Sequence, residues 1–572
     1  MTAAYQNFKL ALYCPAPDLL HITEQQLEKD LAFFQNHLKL SKVYLESHRG
    51  DISLEKADLL HLKAFFESRG IEVSGGITPT LPDTYRAGYG RLFGGICYTD
   101  ERSRAKFQAE VEKAASVFDE VIFDDFFFNN CACDSCLEQK GDRSWAEFRL
   151  ERMTEVSENL VMKAARRVNP RSRMIIKYPN WIESYQGTGY NTLTQPGLFD
   201  GVYTGTETRD PETSQQHIPR YASYSLLRWM EHLKPGQNGG GWFDNLDCSF
   251  LDHYLEQAYL TVFGKARELT LFCYGLLRDS VHVPPLGFQL EKLDHIAAEL
   301  GGPLGVWAYH PHQGKGEDHL YNYLGMAGIP IEPTPHFPEQ AACVLVTATS
   351  AQDSGVLQKI QTLLKNGGNV VMTSGFLERM QGRGIESMTT LTPTGKKLEV
   401  QAYGKDTHSC TFRTFQNGDH RVLFPVLDYC TNGTWQVIAG FNGENNISLL
   451  MYDNYSRGKL YTLTVPDHIA ELPKLPPLVL GALREVLGQG LPVQLDGPGD
   501  VGLFCYDSGV FVLESFARRP ESWRVRVPGG ETLTDLLSGS MLHAQGMEGD
   551  VAVFEVRLPP SRFQAFRIGW KS

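Results

Sequence analysis

The sequence predicts an α/β chain whose first 303 residues form a (β/α)₈ barrel. Three observations predict it. Eight strand–helix units follow one another in roughly three hundred residues, the alternation of apolar runs and helical patterns that argues for a parallel sheet. A barrel of this kind takes about 250 residues. A dinucleotide-binding open sheet would carry a Gly-rich phosphate loop after its first strand, and "LYCPAPDLL" carries none.

In order, the strands are "FKLALYC" (8–14), "KVYLES" (42–47), "IEVSGGIT" (71–78), "DEVIFDDFFF" (119–128), "RMIIKYPNW" (173–181), "FDGVYTGTETR" (199–209), "NGGGWFDNLD" (238–247) and "RELTLFCYG" (267–275). Helical patterns run over 23–37, 54–69, 102–118, 145–168, 217–233, 250–266 and 290–300, and a polar, Gly-rich segment follows the fifth strand. The seventh strand is the most Gly-rich. Asp247 and Ser249 stand where caps of the seventh helix belong. After Gly301-Gly302-Pro303, "PLGVWAYHP", "AACVLVTATS", "LLKNGGNVVMTSG" and "GKLYTLTVP" read as a second α/β domain over 304–490, with a helix near 474–487. Residues 491–572 alternate apolar and polar with turn signals and read as a small antiparallel β domain.

The 572 residues carry a formal net charge of −13 and no run of Lys and Arg, which excludes a polyanion such as nucleic acid as partner. The first twenty residues have no charged n-region and no cleavage site, so a cytoplasmic protein is expected. No apolar run approaches the roughly 20 residues of a membrane span. Eleven cysteines, of which only three are tightly clustered, fit a reducing compartment rather than a disulfide framework.

A barrel's site lies at the carboxyl ends of its strands. Position alone therefore collects Tyr13, then Glu46 with Arg49, then Asp124 and Asp125. The fifth strand adds Lys177, Tyr178, Asn180 and Trp181, and the sixth Glu207 and Arg209. The last two add Trp242, Asp244 and Tyr274. Aromatic faces with hydrogen-bonding edges suit a sugar ring, and paired carboxylates are what glycosidic cleavage needs. Asp125, Glu207 and Asp244 are the catalytic candidates; the others would bind substrate. Strand alternation predicts that only one of Asp124 and Asp125 faces the barrel centre, and Asp125 is favoured as nearer the strand end. No organic cofactor is called for.

"CACDSC" spaces Cys131, Cys133 and Cys136 as C-x-C-x-x-C. Thiolates so spaced can converge on a tetrahedral Zn²⁺, with Cys97 from the preceding loop as fourth ligand. Such a closed site is structural and would pin the loop that follows the fourth strand.

In architecture and in the cysteine loop the chain resembles glycoside hydrolase family 42. That resemblance implies a barrel, a middle domain similar to class I glutamine amidotransferases and a small β domain. It also implies zinc on Cys97, Cys131, Cys133 and Cys136, and a homo-oligomer, dimer or trimer, assembled through the middle domain. The family's acid/base on the fourth strand is a Glu preceded by Asn, where this chain has "DD"; its seventh-strand nucleophile is a Glu, where Asp244 is the nearest acid. On that pattern Asp125 is acid/base and Asp244 nucleophile. An Asp on the fourth strand with an acid on the sixth resembles α-galactosidase-like barrels instead, in which Asp125 attacks and Glu207 is acid/base; this pairing is favoured. Amidotransferases need a Cys on a sharp strand–helix turn, and "VLVTATSAQDSG" and "VVMTSGF" have none, so no amidotransfer is expected. The expected activity is a retaining, exo-acting glycoside hydrolase, galactosidase-like or related, on a short oligosaccharide or glycoside. A transglycosylase and a non-catalytic sugar-binding protein are the alternatives.

Overall fold

The structure, a computed structural model, describes residues 4–81, 94–406, 412–443 and 445–571. Residues 82–93 of the long loop read after the third strand lie outside it. The chain falls into two compact units, residues 1–218 with 230–298, and residues 219–229 with 299–572.

The first unit is the barrel. Its parallel strands are β1 (Lys9–Cys14), β2 (Lys42–Arg49), β3 (Glu72–Thr78), β4 (Glu120–Phe123), β5 (Arg173–Tyr178), β6 (Gly201–Gly205), β7 (Asn238–Asp244) and β8 (Glu268–Phe272). Each pairs with its sequence neighbour, and β1 closes the ring by pairing with both β2 (Ala11↔Lys42) and β8 (Lys9↔Glu268). Ala11, Tyr13, Tyr44, Ile122, Ile175, Tyr203 and Trp242 pack inside it with Phe272, so the barrel is a filled core. Glycines make β7 possible: a Cβ on Gly240 would lie 1.9 Å from the Glu268 carbonyl oxygen.

The helices start where side chains satisfy the free N–H groups of the first turn. Thr23 accepts from the Gln26 amide and Asp100 from that of Ser103. Ser144 and Glu147 form a reciprocal capping box. The run from Trp145 to Val168 is helical throughout, with a π-helical segment over Ser157–Lys163. Two expectations are corrected. The seventh helix, Leu251–Phe263, has Phe250 at its N-cap and no capping side chain; Ser249 instead meets the Thr213 hydroxyl at 2.9 Å. The fourth strand ends at Phe123, so Phe126, Phe127 and Phe128 belong to the loop.

The amino end of the barrel is closed by charge. Lys42, Glu120 and Glu268 are the first residues of their strands. The Lys42 ammonium lies 2.7 Å from Glu120 and 3.2 Å from Glu268. Glu268 also accepts from the hydroxyls of Tyr44 (2.6 Å) and Tyr203 (3.0 Å).

The second unit carries a nine-stranded sheet. Strands β9 (Val306–Tyr309), β10 (Ile331–Thr334), β11 (Cys343–Val346) and β12 (Asn369–Thr373) run parallel with Gly458–Leu463, in the order β10-β9-β11-β12 and then that last strand. Four strands within residues 392–455 extend the sheet antiparallel, a long ribbon that periodicity did not single out. Residues 494–570 form two antiparallel sheets around a core that includes Leu503, Phe511, Trp523, Phe554 and Phe566. The helix Ala222–Leu233 follows β6 in the chain, yet residues 219–229 cluster with this second unit; there Arg228 and Tyr224 hold the buried Glu332 at 2.9 and 2.8 Å. Among the described residues no helix is long and apolar enough to cross a membrane.

Breaking a buried ion pair from one side leaves a charge without compensation, at about 3–5 kcal/mol. Lys42→Met should therefore lower the first unit's unfolding transition by that order in scanning calorimetry. A transition unchanged from the parent would remove this network from the fold's supports.

Candidate active site

At the carboxyl end of the barrel the sequence supplies acids from four strands. Glu46, near the end of β2, is fully buried and fully used. It accepts from Tyr13 Oη at 2.7 Å, Thr78 Oγ1 at 2.5 Å, the Ala16 amide at 2.7 Å and Arg49 Nε at 2.9 Å. Its role is to aim Arg49, whose Nη2 lies 2.8 Å from Asp124. Thr78, which ends β3, also donates to Asp124 at 3.1 Å.

Asp124 and Asp125 both turn toward Lys177, at 3.7 and 3.2 Å. The expectation that only one of them faces the centre is overturned. Alternation holds only while the chain is extended, and here a turn begins at Asp124, with the Phe127 amide bonded to its carbonyl at 3.2 Å. Lys177 is buried at 1% exposure, and its third and shortest contact is Glu207 at 2.6 Å. The ammonium also lies 4.3 Å from the ring centre of Trp242, which stacks on Phe272 and touches Tyr13.

Glu207 follows β6, buried, with Oε2 left without a hydrogen-bond partner. Asn180 holds its backbone carbonyl at 2.5 Å. Asp244, at the end of β7, is gripped by Arg209 through two bonds of 2.9 and 2.7 Å and also accepts from the Leu246 amide at 3.0 Å. Trp181 is half-buried, edge-on to Phe128 and Tyr190. Tyr190, which sequence reasoning missed, donates to the Asp125 carbonyl at 2.5 Å; nothing in its Gly-rich surroundings marks it. Thr78 was missed too, although its position at a strand end could have found it. Two candidates lie apart from this group. Tyr178 points the other way from Lys177 and packs on Tyr185 and Tyr190, and Tyr274 is buried with its hydroxyl bonded to Asp30.

The charges do not balance. Five carboxyls (Glu46, Asp124, Asp125, Glu207 and Asp244) share three cations, Arg49, Lys177 and Arg209. Burial alone would raise Asp124, but Lys177 and Arg49 outweigh it and hold that carboxyl below its ordinary value. Burial pushes Asp125 up to about 8 against the pull of Lys177, with Asp124 and Glu207 adding repulsion. Burial raises Glu207 as well, against Lys177. Asp125 keeps 21% of its side chain exposed, against 3% for Asp124 and Asp244 and 4% for Glu207. It is the acid of this group that both holds a proton near neutral pH and faces outward.

The segment that follows the two acids carries three members of a buried four-cysteine cluster that could hold a metal ion. Cys97 Sγ is 3.7 Å from Cys133 and 3.8 Å from Cys136, which are 3.7 Å from each other, and Cys131 completes the group. Four sulfurs at about 2.3 Å from a tetrahedral centre stand about 3.8 Å apart, so the donors fit. A hollow of about 420 Å³ lined by Cys97, Thr99, Asp100 and Cys133 offers an entry path.

A closed parallel barrel with clustered carboxylates at its carboxyl end, followed in the chain by an α/β domain, has the makings of a glycoside hydrolase. Three domain families match in series: "Probable glycosyl hydrolase, catalytic domain" over residues 1–286, the second domain of the uncharacterized protein SSO3021 over 301–468, and "Probable glycosyl hydrolase, C-terminal domain" over 492–568. The chain belongs to this probable glycosyl hydrolase family, and it is a glycoside hydrolase. It is 24% identical over 534 residues to the uncharacterized protein SSO3021 of Saccharolobus solfataricus, covering 86% of this chain and 87% of that one. In fold it is similar to the β-galactosidase of Bacillus circulans sp. alkalophilus (TM-score 0.68, 12% identity, 99% of each chain). It is likewise similar to Gan42B, a GH42 β-galactosidase (TM-score 0.67, 11% identity, 99% of each chain). The expected family-42 resemblance in fold is met.

A Cβ on Gly205 would fall 2.5 Å from Glu207 Oε2 and 3.2 Å from both the Asn180 amide nitrogen and the Tyr178 carbonyl oxygen, so Gly205→Ala should displace that carboxylate and also strain the backbone beside it. A shift of about 1 Å can cost a hundredfold in rate. The expected outcome is a fall in kcat of that order with a modest fall in melting temperature; unchanged kcat would take Glu207 out of the chemistry.

Proposed function

We propose that the protein is a retaining glycoside hydrolase in which Asp125 is the general acid/base and Glu207 the nucleophile. These are the two residues of the favoured sequence pairing with their roles exchanged. One observation carries the reading: both carboxyls touch the same buried ammonium, Asp125 at 3.2 Å and Glu207 at 2.6 Å. The two oxygens involved are thus less than about 6 Å apart, closer to the roughly 5–5.5 Å of retaining pairs than to the roughly 6.5–9.5 Å of inverting ones. The tighter ion pair favours an ionised Glu207, and the outward, protonated carboxyl of Asp125 suits the leaving-group oxygen.

In the first step Asp125 gives its proton to the glycosidic oxygen as that bond breaks, and Glu207 closes on the anomeric carbon to form a glycosyl ester. In the second, Asp125, now a carboxylate, takes a proton from the water that cleaves the ester. Lys177 stays in contact with both carboxyls and offsets part of their negative charge. Arg209 ties both oxygens of Asp244, which favours a supporting role for that acid.

The substrate proposed is a short oligosaccharide or glycoside cleaved from its end. β-Galactosides come first for testing, because enzymes of similar fold act on them. Zinc is the metal proposed for the four thiolates, which suit it by softness and tetrahedral geometry and leave no open position for chemistry. A homo-oligomer assembled through the middle domain belongs to the same reading.

The acid must be protonated to work, so kcat/KM should fall as pH rises through about 8, and it should fall again at acid pH as Glu207 takes up a proton. Asp125→Asn should lose that alkaline limb and about 10²–10⁴ in rate on alkyl glycosides, and less on aryl glycosides with good leaving groups. A 2-deoxy-2-fluoro aryl glycoside should leave its sugar on the peptide that holds Glu207, read by mass spectrometry. Label on Asp244 would restore the family-42 pairing, and label on Asp125 the α-galactosidase-like one.

A further inference from the structure

The four-cysteine cluster has neighbours whose arrangement makes sense only around a charged centre. Four thiolates on a divalent cation carry a net charge of −2, and a buried charge of that size needs donors and a counter-ion close by. Two side chains are positioned to supply them. Thr99 Oγ1 lies 3.2 Å from Cys97 Sγ and 3.2 Å from Cys136 Sγ. One hydroxyl proton can serve one sulfur at a time, so Thr99 stands as a donor shared along an edge of the tetrahedron.

The second is Arg149, on the helix that opens at Trp145. Among the described residues it has no carboxylate partner, and its buried Nε has no acceptor. Its contacts are the carbonyls of Cys131 (3.4 Å) and Gly187 (2.6 Å) and the face of Trp145, 4.6 Å from the ring centre. Trp145 itself packs against the cysteines. An arginine half-buried with no anion is an expensive arrangement. Beside a dianionic metal–thiolate cluster it is compensated.

We infer that Arg149 is the counter-charge of the metal centre and Thr99 its outer hydrogen-bond donor, the two side chains that let four thiolates gather in a buried place. The inference rests on the metal reading above and goes beyond it, because it assigns residues that are not ligands. Neighbours of this kind set metal affinity without touching the ion, typically by 10–100-fold. Arg149 should act through charge, so a lysine should serve. Thr99 should act through its hydroxyl, so a serine should serve and the isosteric valine should not.

The test uses the full chain, purified under reducing conditions, loaded with Zn²⁺ and titrated with a chromophoric chelator. Metal content is read by mass spectrometry, and the thiolate-to-cobalt absorption of the Co²⁺ form is recorded as a second measure. The parent is expected to hold one ion per chain. Arg149→Gln and Thr99→Val should each lose it about 10–100-fold more readily, while Arg149→Lys and Thr99→Ser stay within about threefold of the parent. Affinities of the Gln and Val variants equal to the parent's would overturn the inference and leave the site intact. A parent that holds no ion even after loading would overturn both, and that result comes before any variant is compared. Should Arg149→Gln fail to fold, Arg149→Met is compared with Arg149→Lys in its place, and the Thr99 pair is read independently.

Discussion

The buried ammonium of Lys177 is the constraint on which the site depends. A cation with 1% exposure is tolerable only among anions, and three carboxyls from two different strand ends converge on it. Because it bonds both Glu207 and Asp125, it holds acids from two strand ends around one point. Because it cannot neutralise all of them, one acid keeps its proton. The same imbalance that would be a defect in a core therefore creates a proton donor at neutral pH. Trp242 closes the lysine's other side, so the charge stays dry and its hold on the acids is strong.

Around this point the structure is a set of supports. Glu46 accepts from Tyr13, Thr78, the Ala16 amide and Arg49, and Arg49 holds Asp124. Asp124 in turn accepts from the Asp125 amide at 2.8 Å, which fixes the backbone of the outward acid. On the far side the Tyr190 hydroxyl holds the Asp125 carbonyl, and the Asn129 amide bonds Thr188 at 2.8 Å. The cysteine loop joins this scaffold directly, since Asn129 Oδ1 accepts from the Cys131 amide at 3.0 Å and Arg149 spans the carbonyls of Cys131 and Gly187. The loop that leaves β4 thus carries the two acids at one end and is tied to the cysteines at the other.

The second unit follows a different logic. Its five parallel strands have the order 2-1-3-4-5, whose ligand crevice lies at the carboxyl ends of the first and third strands. Here that place is filled from within. Glu317 accepts from the Ala348 amide at 2.7 Å and from Thr373 Oγ1 at 2.6 Å, and a Cβ on Gly375 would strike its carboxylate at 2.3 Å. The chain's own carboxylate thus occupies the strand-end crevice of this domain.

The barrel, the middle α/β domain and the terminal β domain were legible in the amino-acid order, because period and turn chemistry are local properties. So was the gathering of acids at strand ends, since every strand of a closed parallel barrel delivers its last residues to one rim. The thiol triplet was legible for the same local reason. What the order of residues could not decide was direction and sharing: that Asp124 and Asp125 both reach Lys177, that Glu46 is consumed by its neighbours, that Tyr178 and Tyr274 lie apart, and that Arg149 stands beside the cysteines. Those depend on where a strand stops and which distant groups compete for one cation. They are settled by packing and charge balance over tens to hundreds of intervening residues, and only the folded chain brings them together.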